Sequence, residues 1–145
     1  MRYPLVLDLT NQAVIVVGAG KVATRKVRTL LAAGATVTVI APVATAALRR
    51  LKAVRWLRRR YQAGDLCGAR LVVAATDDLV VNRKVCAEAH RRRQLVNCAA
   101  PPDAGNFIVP ALVRQGAFTL AISTGGASPA AAKALRQKLE RSLRA

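Results

Sequence analysis

Short, continuous apolar runs alternate along this chain with segments whose apolar residues recur at helical spacing. The run at residues 13–17 stops at a glycine, as expected of a strand buried on both faces. A helix is predicted over residues 22–31, and Gly34 would end it. The later segments repeat this rhythm: strands are predicted at 36–42, 69–78 and 93–99, and a helix at about 81–92. Such alternation predicts an α/β, doubly wound, mostly parallel sheet with helices on both faces.

Two parts of the pattern are less regular. Residues 43–62 begin as a helix, but the basic run at 55–61 fits either an edge strand or a solvated helix face. After Phe107, two strand-like segments precede a basic helix predicted at 130–144. We therefore predict a nucleotide-binding domain over 1–112 and a small appendage, used for dimerisation, over 113–145.

Composition narrows the class of protein. The 145 residues suffice for one main domain, and a chain that is 53% hydrophobic but only 3% aromatic must have an aliphatic core. Its three cysteines are widely spaced without a CxxC pair, so we expect neither a disulfide framework nor a metal site. Without an apolar leader or a run of membrane length, the chain is predicted to be soluble and cytoplasmic.

The net charge of +17 favours polyanionic partners. Nucleic acid is one candidate, but the basic residues are spread over helix-like segments and few aromatics are available for base stacking. A small substrate with many carboxylates would suit the same field, and the charge could also lack a functional meaning. We do not expect nucleic acid or a membrane as a partner.

The first candidate site directly follows the first predicted strand and precedes the first helix. Its G-x-G-x-x-A pattern is typical of dinucleotide binding, with one glycine for the tight turn, one for close approach of a pyrophosphate, and an alanine for helix–strand packing. The predicted coenzyme contacts here are Gly18, Gly20, Lys21, Val22 and Ala23.

Two more strand ends would line the coenzyme. The second strand ends in Ala41, Pro42 and Val43, which would contact the adenosine by shape alone. Because the acid that normally holds the ribose 2′-hydroxyl is missing, this strand end does not distinguish NAD from NADP.

The strand at 69–78 ends in polar residues. Thr76 and Asp77 are predicted coenzyme contacts, but an acid at a helix start usually caps the helix, so we expect a capping role for Asp77 or Asp78. Asn82 is interpreted as part of that helix start.

The last strand leads into the segment LVNCAAPPDAGNF, residues 95–107, a corner of small residues, two prolines and one acid. It lies at a strand's carboxyl end, beside the expected position of a nicotinamide ring, so we predict that it faces the substrate.

Three motifs in this order, GAGKVATRKV, ATDD and STGGASP, make the chain resemble the precorrin-2 dehydrogenase family, including the amino-terminal module of siroheme synthase. The resemblance runs over essentially the whole chain. It implies a homodimer with a Rossmann domain that uses NAD to oxidise an anionic tetrapyrrole, precorrin-2, to sirohydrochlorin. Some members also insert iron. The sequence ends at Ala145, where the family's further helical module would begin, so we expect that module to be absent.

The resemblance also implies site residues and one departure. Family members carry an aspartate at the position of Ala100, which can neither accept a proton nor bind iron. This departure counts against iron insertion more than against dehydrogenation, because hydride transfer depends first on placing donor and acceptor together. Asp103 is the candidate catalytic replacement, or else a solvent-facing turn residue. The implied substrate contacts are Asn97, Ala100, Ser123, Thr124 and Gly125.

The sequence therefore predicts an enzyme. The alternative is a carrier or sensor that binds coenzyme or tetrapyrrole without catalysis, which the missing aspartate favours.

Overall fold

A computed structural model describes residues 3–143 of the chain. Five strands form a parallel sheet in the order β3-β2-β1-β4-β5. The strands are β1 (Ala13–Val17), β2 (Thr36–Ile40), β3 (Val54–Leu57), β4 (Leu71–Ala74) and β5 (Leu95–Cys98), and the helices between them are α1 (Lys21–Ala32), α2 (Ala46–Arg49) and α3 (Leu79–Arg91). A 3₁₀ turn, Pro102–Ala104, follows β5.

Both faces of this sheet are covered, as the sequence predicts for a doubly wound fold. One aliphatic core joins α1 and α2 to the sheet and includes Val16 and Val27. The other joins α3 to the opposite face and includes Val72 and Val85. Strands buried on both sides explain the uninterrupted apolar runs in the sequence. The predicted fold class is confirmed.

The ambiguous segment at 43–62 contains one turn of helix and then an edge strand. Helix α2 ends after four residues, and within residues 3–143 β3 pairs only with β2, so its other edge has no strand partner there. Arg55 of this strand is exposed, and a charged residue on an edge strand discourages pairing with another chain. The strand predicted at 36–42 ends at Ile40, two residues before Pro42.

Residues 108–143 form a separate, smaller unit that also contains residues 3–5. Strands β6 (Ala111–Gln115) and β7 (Phe118–Ile122) pair antiparallel, and helix α4 covers Pro129–Ser142. The helix predicted at 130–144 is thus present, although Arg144 lies outside the described residues. The domain boundary at 112/113 and the dimerisation role stay predictions.

Across residues 3–143, no helix has the length and apolar character needed to cross a membrane.

Candidate functional site

Four loops meet at one edge of the large sheet. Because all five strands are parallel, the loops that leave the carboxyl ends of β1, β2, β4 and β5 share this edge. Ligands of open α/β sheets bind at such an edge, close to where the strand order reverses. Here the reversal lies between β1 and β4.

The turn after β1 requires glycine at its first position. Gly18 has a φ of +109°, and its N–H donates to the carbonyl of Ile40 at 2.9 Å. A Cβ added at Gly18 would lie 2.3 Å from the carbonyl oxygen of Ala75 and 2.9 Å from the nitrogen of Thr76. Gly18 therefore lets the loops after β1 and β4 approach within contact distance.

The second glycine leaves open space instead. Gly20 is the N-cap residue of α1, no side chain caps the helix there, and a Cβ at Gly20 would meet nothing within 4 Å. The first-turn N–H groups of Lys21, Val22 and Ala23 point out of a helix start, where an anion is favoured. Ala23 itself is fully buried, which fits the helix–strand packing role predicted for it. This turn fits a dinucleotide pyrophosphate.

The loop after β2 is fastened to the loop after β1. Thr45 donates its N–H to the carbonyl of Ala19 at 3.1 Å, and its hydroxyl lies 2.9 Å from that of Thr24. Thr45 also caps α2, since its hydroxyl accepts from the N–H of Leu48. Sequence reasoning missed this pair, because two threonines 21 positions apart carry no local signal. Of the predicted adenosine contacts, Ala41 is buried, whereas Pro42 and Val43 are exposed.

Trp56 of β3 also contacts the loop after β2. Its indole N–H donates to the carbonyl of Ala41 at 2.9 Å, and the guanidinium carbon of Arg58 lies 4.7 Å from the centre of its ring. The tryptophan therefore does more than fill space. It links a cation to the β2 loop.

The two acids of the loop after β4 differ in their surroundings. Asp78 caps α3 by accepting from the N–H groups of Val80 and Val81 at 2.8 and 3.2 Å, as we expected for one of the pair. Asp77 is exposed at the same edge.

Asn82 connects this loop to the loop after β5. Its side chain is fully buried. Its Oδ1 accepts from the N–H and the hydroxyl of Thr76, and its Nδ2 donates to the carbonyl of Thr76 at 3.0 Å and to that of Ala100 at 2.8 Å. The predicted contacts Thr76 and Ala100 are thus brought together by a residue that the sequence assigned only to the helix start.

The loop after β5 folds back along its own strand. Asn106 donates its N–H to the carbonyl of Val96 at 2.9 Å, and its side chain accepts from the N–H of Val96 at 2.8 Å. A Cβ at Gly105 would lie 2.8 Å from that carbonyl. His90 contacts the carbonyl of Ala104 at 2.9 Å. Hydrogen bonds as well as prolines therefore fix this corner, and Asp103 is exposed within it.

The predicted substrate contact Asn97 is buried in β5. Its Oδ1 accepts from the amine of Lys26 at 2.7 Å, and its Nδ2 donates to the carbonyl of Phe107 at 3.1 Å. Burial, and then the charge of Arg25, lowers the pKa of Lys26. Asn97 thus positions the end of the loop as well as the half-buried amine of Lys26.

The other predicted substrate contacts belong to the smaller unit. Ser123, Thr124 and Gly125 form an exposed turn in which the N–H of Gly125 donates to the hydroxyl of Ser123 at 3.1 Å. The hydroxyl of Thr124 accepts from the N–H of Ser128 at 2.8 Å, and the hydroxyl of Ser128 caps α4. The segment thus combines an exposed polar turn with the cap of α4.

Two family models match the chain. Residues 5–111 match the family described as "Putative NAD(P)-binding", and residues 115–142 match "Sirohaem biosynthesis protein central".

Similar proteins are named siroheme synthase. The chain is 41% identical over 141 residues to that of Chromobacterium violaceum and 42% identical over 144 residues to that of Pseudomonas fluorescens. These alignments cover 95% and 97% of this chain but only 30% and 31% of the relatives, so the chain spans about a third of their length. A solved structure named "SirC, precorrin-2 dehydrogenase" is 36% identical with a TM-score of 0.87, covering 97% of this chain and 71% of that one.

Proposed function

The chain belongs to the precorrin-2 dehydrogenase family, which includes the siroheme synthases, and we propose that it converts precorrin-2 to sirohydrochlorin with NAD as coenzyme. The observation that carries this proposal is the contrast between two glycines in the turn after β1. Gly18 closes the turn against the β4 loop, while Gly20 leaves an uncapped helix start open to an anion. The turn itself does not require glycine at position 20, because a Cβ there would meet nothing within 4 Å and the φ is −75°.

The residues around this turn would hold the coenzyme. The backbone from Gly18 to Ala23 would bind the pyrophosphate, Ala41 to Val43 would line the adenosine, and Thr76 and Asp77 would contact a ribose. A bound nicotinamide supplies the hydride acceptor. The asparagine-fixed corner after β5 would then shape the substrate side of the site.

The oxidation removes one hydride and one proton from the substrate. Asp103, the acid closest in sequence to Ala100, is the proposed proton acceptor, with water as the final destination. The proposed contacts to the tetrapyrrole carboxylates are Ser123, Thr124 and Gly125, whose hydroxyl and N–H groups are suitable donors. Ala100 would contact the macrocycle, and Asn97 would position the loop. The positive charge of the chain would draw such a substrate in.

A homodimer built on the smaller unit is also proposed. Phe118 of β7 is 75% exposed and Leu135 of α4 is 48% exposed, which leaves apolar surface suited to a second copy. The proposed location is the cytoplasm.

Turnover distinguishes an enzyme from a carrier. With precorrin-2 and NAD, we expect sirohydrochlorin and NADH to form in equal amounts over many cycles, measured by absorbance. A carrier would bind both ligands and release no NADH beyond the amount without protein, and that result would contradict the proposal.

Ala100→Asp restores the family carboxylate. We expect iron insertion into sirohydrochlorin to rise by about a hundredfold or more, the contribution typical of a positioned acid–base group, while dehydrogenation changes less. Ala99→Asp is the matched control, because it places the same carboxylate one residue earlier, at an alanine that is also half-buried. Equal rates of iron insertion in both variants and the parent would show that the position does not act as the family's aspartate does.

A further inference from the structure

The strand end that selects between the two nicotinamide coenzymes lacks its usual acid. Ala41, Pro42 and Val43 follow β2, and none can hydrogen-bond a ribose 2′-hydroxyl through its side chain. An acid at this position favours NAD and repels the 2′-phosphate of NADP. Val43 is 78% exposed, so the loop also leaves space on its outer side.

A cation lies beside this strand end. Ile40 is paired with Leu57 in the parallel register, and the N–H of Ala41 donates to the carbonyl of Leu57 at 3.2 Å, so Arg58 leaves β3 next to the β2 loop. The Arg58 guanidinium stacks 4.7 Å from the ring centre of Trp56, which is itself bonded to Ala41. Stacking on an aromatic face orients the guanidinium and leaves its N–H edge available to a phosphate.

The neighbouring arginine is occupied elsewhere. Arg59 forms two hydrogen bonds of 2.7 Å with the carboxylate of Asp65. Among the ion pairs within residues 3–143, none involves Arg58. Arg58 is thus a stacked cation without a carboxylate partner in the described chain.

We propose that this site accepts NADP as well as NAD, with Arg58 as the residue that contacts the 2′-phosphate. The inference rests on the proposed coenzyme site and deepens it. It assigns a role to the missing acid and to the Arg58–Trp56–Ala41 chain of contacts, which dinucleotide binding alone does not require.

The test is direct titration of the protein with NADPH and NADH, followed by calorimetry or coenzyme fluorescence. We expect the two dissociation constants of the parent to agree within about threefold. Arg58→Gln should weaken NADPH about tenfold and NADH by less than about twofold, since one charge-assisted phosphate contact is lost. The side chain of Arg58 is exposed, and a thermal melt verifies folding.

Arg60→Gln is the matched control, because it removes the same charge from an exposed arginine two positions away. If the general positive field binds the extra phosphate, Arg58→Gln and Arg60→Gln weaken NADPH equally, and the inference is wrong. The inference is also wrong if the parent binds NADH but binds NADPH with a dissociation constant more than about tenfold higher. That result would leave the proposed function intact. Binding of neither coenzyme by folded protein would instead overturn the proposed function itself, and the inference with it.

Discussion

Gly20→Leu is expected to weaken coenzyme binding by about a hundredfold or more, because the side chain would fill the space through which a pyrophosphate reaches several helix N–H groups. The protein itself has room for the change, since a Cβ at Gly20 meets nothing within 4 Å and its φ is −75°. Folding stability should fall by no more than about 1 kcal/mol, the usual range for a helix N-cap. Titration with NADH and urea unfolding measure the two quantities.

Gly18→Ala provides the contrasting case two residues earlier. There the added Cβ would lie 2.3 Å from the carbonyl oxygen of Ala75 on a backbone with φ of +109°, so the loops after β1 and β4 would have to separate. We expect a loss of about 3 kcal/mol or more in the free energy of unfolding. Unchanged NADH affinity in folded Gly20→Leu would contradict the proposed coenzyme site, whatever Gly18→Ala does.

The sequence predicted the sheet because its strands are buried on both faces. An apolar run such as residues 13–17 can be recognised without knowing which strands pair with it. The glycine that follows is explained by the tight turn after the strand. The acid pair at 77–78 was also interpretable, since capping depends only on the next three N–H groups. Features of this kind depend on residues that are close in sequence, so the sequence alone predicts them.

The contacts that join the loops could not be predicted in the same way. Thr24 with Thr45, Asn82 with Ala100, and Arg58 over Trp56 depend on which strands are neighbours and on the register of β2 with β3. The edge strand β3 was ambiguous because one edge faces solvent and its basic residues hide the alternation. These contacts between loops could be identified only once the order of the strands in the sheet was known.

Asn82→Ala tests whether those links hold the site together. The change removes one side chain, itself without solvent exposure, that satisfies the N–H and carbonyl of Thr76 and the carbonyl of Ala100. Buried backbone groups left without partners cost about 1–3 kcal/mol each, so we expect a loss of about 3 kcal/mol in the free energy of unfolding. Urea unfolding followed by circular dichroism measures it.

Asn106→Ala is the matched control for this prediction. Asn106 also makes two side-chain hydrogen bonds to backbone: it accepts from the N–H of Val96 and donates to the carbonyl of Gln94. Its side chain is exposed, so water can replace the bond to Gln94, whereas the N–H of the buried Val96 loses its partner. We expect it to cost about 1 kcal/mol. Equal losses in the two variants would mean that the bridge between the β4 and β5 loops contributes no more than an ordinary surface asparagine. A larger loss in Asn82→Ala, with weaker NADH binding in the folded fraction, would show that a single buried amide sets the spacing between the coenzyme loop and the substrate corner.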